Sequence, residues 1–409
     1  MALGPGVASA HSLSVLHGGP SKGGTVATFS VKTVKVGKNP DETAFDPKNG
    51  DLYVTNTNSS SVSVIKGSTN KVTKTISVGA DPIGAGYDST NGDVYVISQT
   101  AGTVTVISNS NTVVKTITVV ADPAAGMIAP SGNVYVTCRG TSGATNGDLA
   151  VINESTNSVT EVAVGEEPGT PYYDPANEDV YLVNVLSGTV SAVSTALTVT
   201  TISTGTGSEP IAMVYSPATK EMYVTLPAKG QIDAISSANK IVATISDPNA
   251  PFIPTYDSVN QDLYVPDITG QKTSNVTIVS SSNTVVETIE TSVPIDPFGF
   301  LDTSNGDFYL GSPSGSELVF NSAATPALVT TLTVGVQPTF VLVDPATSDV
   351  LILKYDGTAS AASVVIFSSS NSLVTTEKVG DGGLSMTYDS TNKDVYVDNY
   401  GTDTVSVIT

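Results

Sequence analysis

The chain has 409 residues, 38 of them acidic and 17 basic, and its formal charge of −21 leaves little with which to neutralise a run of phosphates. Nucleic acid and acidic membrane surfaces are therefore excluded as partners, while basic partners and hard cations stay open. Cys138 is the single cysteine, which excludes an intramolecular disulfide and a thiolate metal cluster.

Residues 1–24 are rich in Gly, Ser and Ala, carry both histidines (His11 and His17), and read as a flexible arm. The first ten residues lack the basic start and long apolar stretch of a signal peptide. No apolar run approaches the ~20 residues that span a bilayer. From 25 to 409 the chain reads as one repeat array. The stretch Asp46-Pro-Lys-Asn-Gly-Asp-Leu-Tyr-Val-Thr-Asn56 recurs with variations, its tyrosine returning as Tyr95, Tyr135, Tyr181, Tyr223, Tyr264, Tyr309 and Tyr396, with Leu351 in its place once. The spacings are 42, 40, 46, 42, 41, 45, 42 and 45 residues. A period of roughly 40–45 residues built from short strands is that of propeller blades.

The second unit shows the pattern. Ile83–Tyr87 reads as a first strand, Asp88-Ser-Thr-Asn-Gly92 as a tight turn, and Asp93–Ile97 as a second strand. Thr103–Ile107 is a third strand with period-two alternation, and Val113–Val119 a fourth. Four such strands make one antiparallel blade. The last unit ends at Thr409 after its third strand, whereas Val31–Gly37 reads as a fourth strand with no unit of its own. The expected fold is therefore all-β: a single closed propeller of nine four-stranded antiparallel blades, its N-terminal strand completing the last.

Leu52-Tyr-Val-Thr-Asn56, the Thr-Val-Ser-Val-Ile-like third strands and the Val-Gly-x-x-Pro exits resemble the YVTN family of β-propeller repeats. That resemblance covers residues 31–409 and implies an archaeal surface-layer or other secreted protein. Tyr181-Leu182, Tyr309-Leu310 and Leu351-Ile352 depart from the Tyr-Val pair, and nine units exceed the family's usual seven.

Catalytic hardware is sparse. No histidine lies in a blade to serve a Ser–His–Asp arrangement or a metal-dependent lyase, and no Cys-x-x-Cys-His attaches haem. Carboxylate-only chemistry, as in a glycosidase or a lactonase, stays open as the enzymatic alternative. Two classes of acid recur. Asp51, Asp93, Asp179, Asp262, Asp307, Asp349 and Asp394 stand two before the repeat tyrosine or its leucine replacement, where turn hydrogen bonding explains them. Asp81, Asp122, Glu167, Glu209, Asp296 and Asp381 stand in the loops joining one blade to the next. These six form a candidate acidic rim for binding, with Ca²⁺ as the candidate ion and no other cofactor expected. The long loops 138–148, 266–275 and 355–362 are assigned to the same face.

Asn58, Asn153 and Asn275 head Asn-x-Ser/Thr sequons and are candidate glycosylation sites. The expectation is a non-enzymatic extracellular or cell-surface propeller acting as a structural or assembly subunit. Its partners would be other copies of itself, or cell-surface proteins and glycans. The alternative is a soluble carbohydrate- or protein-binding module that uses the variable-loop face.

Overall fold

In the computed structural model of the chain, the residues described are 29–141, 146–268, 272–323, 325–355 and 362–409. The arm 1–24, with His11 and His17, and parts of the three long loops lie outside them.

The chain folds into nine four-stranded antiparallel sheets, a nine-bladed β-propeller. The blades span residues 40–77, 82–118, 123–163, 172–203, 213–246, 255–291, 299–333, 338–378 and 383–408, and the strand Val31–Lys35 joins the last. Within a blade, burial follows position. Asp51–Asn56, a second strand, is buried at every residue, whereas Lys71–Ser77, the fourth strand of the same sheet, is exposed at most of them. Central strands are covered on both faces and so can be apolar without alternation. The fourth is an edge that meets solvent.

Val31–Lys35 pairs antiparallel with Thr404–Ile408, from Val31 opposite Ile408 to Lys35 opposite Thr404, as the missing last strand predicts. Val34 seals this junction at 7% exposure, packed with Leu52, Val54 and Val405. Val34→Ala is expected to cost about 1–2 kcal/mol. Amide exchange should then rise along Thr404–Ile408 before the other sheets, and unchanged protection there would contradict the closing role.

The chain divides into two compact units. One is drawn from Met1–Gly143, Asp148–Glu161 and Thr339–Thr409, the other from Ala144–Gly147 and Val162–Pro338. In each unit the apolar core lies between consecutive blades. In the first, Ala44, Tyr53, Val62 and Ile76 of one sheet meet Ala85, Val94, Val96 and Ile107 of the next. In the second, Tyr181, Val183 and Ile202 meet Met213, Met222 and Val224. A repeat unit alone cannot cover its faces, so stacking supplies its core.

The repeat tyrosine does more than fill that core. Tyr53 donates its hydroxyl to Asn111 Oδ1 at 2.6 Å, in the turn of the following blade, while Asn111 Nδ2 donates to Asp51 Oδ2 at 2.8 Å. Tyr181 and Asp179 hold Asn239, Tyr223 and Glu221 hold Asn283, and Tyr396 and Asp394 hold Asn70 in the same way. Each of these asparagines has a positive φ, between 53° and 62°, which asparagine tolerates better than most residues. The turn assignment for the acid two before the tyrosine is thereby corrected at Asp51 and Asp394, whose carboxylates clamp the neighbouring blade, whereas Asp179 does both, its Oδ2 also accepting from Asn177 Nδ2 of its own turn at 3.3 Å. The turn itself is held by an earlier acid: Asp46 Oδ1 accepts from Lys48 N and Asp88 Oδ1 from Thr90 N, both at 2.8 Å.

Candidate functional site

In the first unit the strand Pro40–Asp46 opens with a bulge. Pro40 stands opposite Asn56 and Thr43 opposite Val54, so Asp41 and Glu42 share one partner, Thr55. Such bulges re-aim side chains. Here the bulge brings two consecutive acids beside Asp398 of the ninth blade's second strand, Val395–Asn399. Asp398 is wholly buried; Thr43 Oγ1 donates to both its oxygens at 2.8 Å and Ser385 Oγ to Oδ2 at 2.7 Å. The Glu42 carboxylate accepts from the Ala85 backbone of the next blade and lies against Gly84, where an added Cβ would come within 3.1 Å of Oε2.

Burial is the first cause of raised pKa in all three acids, and a neighbouring carboxylate is the second influence on Asp41 and Glu42. Asp41 is pushed up to about 6 by burial and Asp81, and Glu42 to about 8 by burial, Asp41 and Asp398. Asp398 rises to about 7 through burial and Asp41, against the lowering effect of its two hydroxyl donors. Near neutrality this cluster exchanges protons. Asp41 and Glu42 are half-buried residues, whereas Asp398 is buried. Perturbed carboxyls of this kind mark candidate sites. The cluster can accept from a hydrogen-bond donor or hold a proton.

Of the rim acids, Asp81, Asp122, Glu167 and Glu209 sit at positive φ, 60°, 61°, 55° and 47°, each immediately before a proline. The carbonyls of Asp81, Asp122 and Glu167 serve the second-to-third-strand loops. Gln99 N donates to Asp81 O at 2.8 Å, Arg139 N to Asp122 O at 3.0 Å and Val185 N to Glu167 O at 3.1 Å, which places the two kinds of loop side by side. Asp81 also accepts from Thr100, and Asp122 from the Gln99 amide at 2.8 Å. Asp381 O accepts from Gly401 N, and its Oδ1 is buried without a partner.

Asp296 differs from these. Its N–H donates to Gly311 O, as those of Gly169, Ile211 and Phe252 donate to Val183, Thr225 and Pro266. It therefore stands inside its blade, at 8% exposure, and its side chain is pushed up to about 6 by burial. The Asp-Pro dipeptide is shared with the rim, but the backbone register is not.

Sequence reasoning passed over Asp41, Glu42 and Asp398, because ring closure sets the first blade beside the last but the period does not show the bulge at Pro40–Thr43 that aims the two acids. It also passed over Asp247 and Asp267, which hydrogen-bond each other while almost wholly buried. Asp267 stands where other blades place Asn56, Asn184 and Asn399, and accepts from Thr277 Oγ1 at 2.8 Å. Burial, then the charge of Asp247, holds Asp267 far above the usual carboxylate range, so the pair keeps a proton. Cys138 is buried as expected, and burial pushes its thiol up.

Asn58 and Asn153 are exposed, whereas Asn275 is half-buried in the strand Ser274–Val279 and the hydroxyl of its sequon, Thr277, is buried against Asp267. Among the described residues no helix is long and apolar enough to cross a membrane, and no three His, Cys, Asp or Glu side chains group as a metal site.

Fold and register place the chain in the class of β-propellers, with nine blades. No family model matches the sequence, and no curated protein matches it. Among solved structures, the chain is similar to dihydro-heme d1 dehydrogenase NirN in complex with DHE, at TM-score 0.62 and 12% identity over 85% of this chain and 78% of that one. It is also similar to Saccharomyces cerevisiae Sqt1, at TM-score 0.59 and 12% identity over 85% of this chain and 98% of that one. Likeness at this identity establishes the fold alone.

Proposed function

We propose that this chain is a non-enzymatic β-propeller acting as a structural or assembly subunit outside the cell or at its surface, in keeping with its resemblance to YVTN-type surface-layer repeats. The observation that carries this reading is the apolar decoration of the blade edges. Val113 and Val114, Val242, Val285 and Val286, Val329 and Leu373 are all exposed, and all lie on fourth strands. An edge strand offers unpaired N–H and C=O groups, and β-branched side chains around them suit pairing with another strand. Exposed Asn58 and Asn153 suit a glycosylated exterior. The partner is a second copy of the chain, which meets it edge to edge.

Sedimentation velocity on the full chain over a rising concentration series tests this. Association is expected in the parent and about tenfold weaker after combined Val114→Lys, Val286→Lys and Val329→Lys, since charge on an edge strand blocks pairing. A parent that stays monomeric throughout sinks the assembly reading. The alternative is a binding module centred on Asp41, Glu42 and Asp398. It draws its support from the clustering of these three carboxyls at the bulge and extends to a cationic ligand.

A further inference from the structure

We propose that Glu317 and Asp296 form a Ca²⁺ site inside the seventh blade, built by three coupled departures from the repeat. The first is Glu317 itself. It lies on the third strand, Ser316–Phe320, opposite Gly311. The same register position holds a valine, leucine or isoleucine in every other blade, as with Val62, Val104 and Leu149 in the first three. Glu317 is as fully buried as those residues, at 0% exposure, yet neither of its carboxylate oxygens has a hydrogen-bond partner.

The second departure is Gly311, at a position where the other blades carry a side chain (Thr55, Ile97 and Thr137 in the first three). A Cβ built there would lie 2.6 Å from Asp296 Oδ2, so the missing side chain is what admits the Asp296 carboxylate over the strand. The third is Asp296, an acid at a register position that holds Gly169, Ile211 and Phe252 in three other blades and an acid elsewhere only as Asp41 in the first blade, among the positions the bridges align. Asp296 is the charge that acts on Glu317, and its own hydrogen-bond donor is the Gln337 amide. The repeat thus supplies an internal control: one blade replaces an apolar residue by an acid, clears the space opposite and turns a second acid into that space.

Two carboxylates match the charge of one divalent hard cation, and Ca²⁺ completes its shell with backbone carbonyls and water. An unpaired buried carboxylate costs far more than it returns. A bound cation answers both oxygens. Complete burial of Glu317 excludes a larger ligand. The site is separate from the edge strands and from Asp41, Glu42 and Asp398, and stands or falls independently of the assembly reading.

The test uses the full chain freed of metal by chelation, titrated with Ca²⁺ alone and followed by calorimetry and thermal melting. Ca²⁺ is expected to raise the melting temperature of the parent, and Glu317→Gln to weaken that binding about tenfold or more. Glu317→Val, which restores the apolar residue of the other blades, should fold without Ca²⁺ and lose the same binding event. A parent whose melting ignores millimolar Ca²⁺, or a Glu317→Val protein that binds Ca²⁺ as the parent does, overturns the proposal.

Discussion

Melting measured in chelator is expected to fall steadily as the pH rises from about 4 to about 8, the reverse of the acid sensitivity usual in folded proteins. The cause is the set of carboxyl groups whose folded pKa lies above the unfolded value of about 4. Asp41 and Asp296 stand at about 6, Asp398 at about 7 and Glu42 at about 8, with burial the first cause in each. A folded state that holds its protons more tightly than the unfolded one is most stable below the unfolded pKa. That stability drains away as pH climbs through the folded values. For Asp398, a rise from 3.8 to about 7 corresponds to about 4 kcal/mol. The Lys66–Asp51 ion pair, 3.0 Å long with its lysine side chain 38% exposed, contributes about 1 kcal/mol or less. Asp398→Asn removes the titrating group while leaving an oxygen for its hydroxyl donors, and should flatten the curve by about 4 kcal/mol. A parent whose melting temperature peaks at neutral pH would contradict this account of the buried acids.

Asn111→Ala is expected to cost about 3 kcal/mol, more than most substitutions at a half-buried turn residue. The change removes the acceptor of the Tyr53 hydroxyl and the donor to Asp51 Oδ2 together. Asp51 is 4% exposed, so its carboxylate loses a partner where water reaches it poorly. Alanine must also adopt the φ of 61° that Asn111 holds. Tyr53→Phe removes one hydrogen bond and should cost about 1 kcal/mol. Combined in one chain, the two changes should fall short of additivity, because both break the same contact. Additive losses from a double-mutant cycle in urea would show that tyrosine and asparagine act separately.

The closing strand was legible because counting suffices. A last unit short of one strand and an unassigned Val31–Gly37 leave one arrangement that hides both edges. The tyrosine period was equally plain, but its hydroxyl partner was not, since Asn111 lies 58 residues downstream and the period marks neighbours only in sequence. Asp296 shows the limit from the other side. Its Asp-Pro dipeptide is that of Asp81 and Asp122, yet its N–H pairs with Gly311 and draws it into the blade. Glu317 could have been found by setting the nine third strands in register and asking which breaks the apolar column. Asp41, Glu42 and Asp398 could not.

By itself, then, the sequence determined the repeat, the strand order, the blade number and the closing partner. Local alternation, turn residues and spacing act within one unit or between successive ones, and the closing partner follows from the count of strands they give. Only the tertiary structure decided which acids are buried and which pairs meet. Stacking of the blades sets both, bringing together residues hundreds of positions apart and withdrawing them from water, as it does for Thr43 and Asp398. The energy of a carboxylate depends on that withdrawal far more than on its neighbours in the chain.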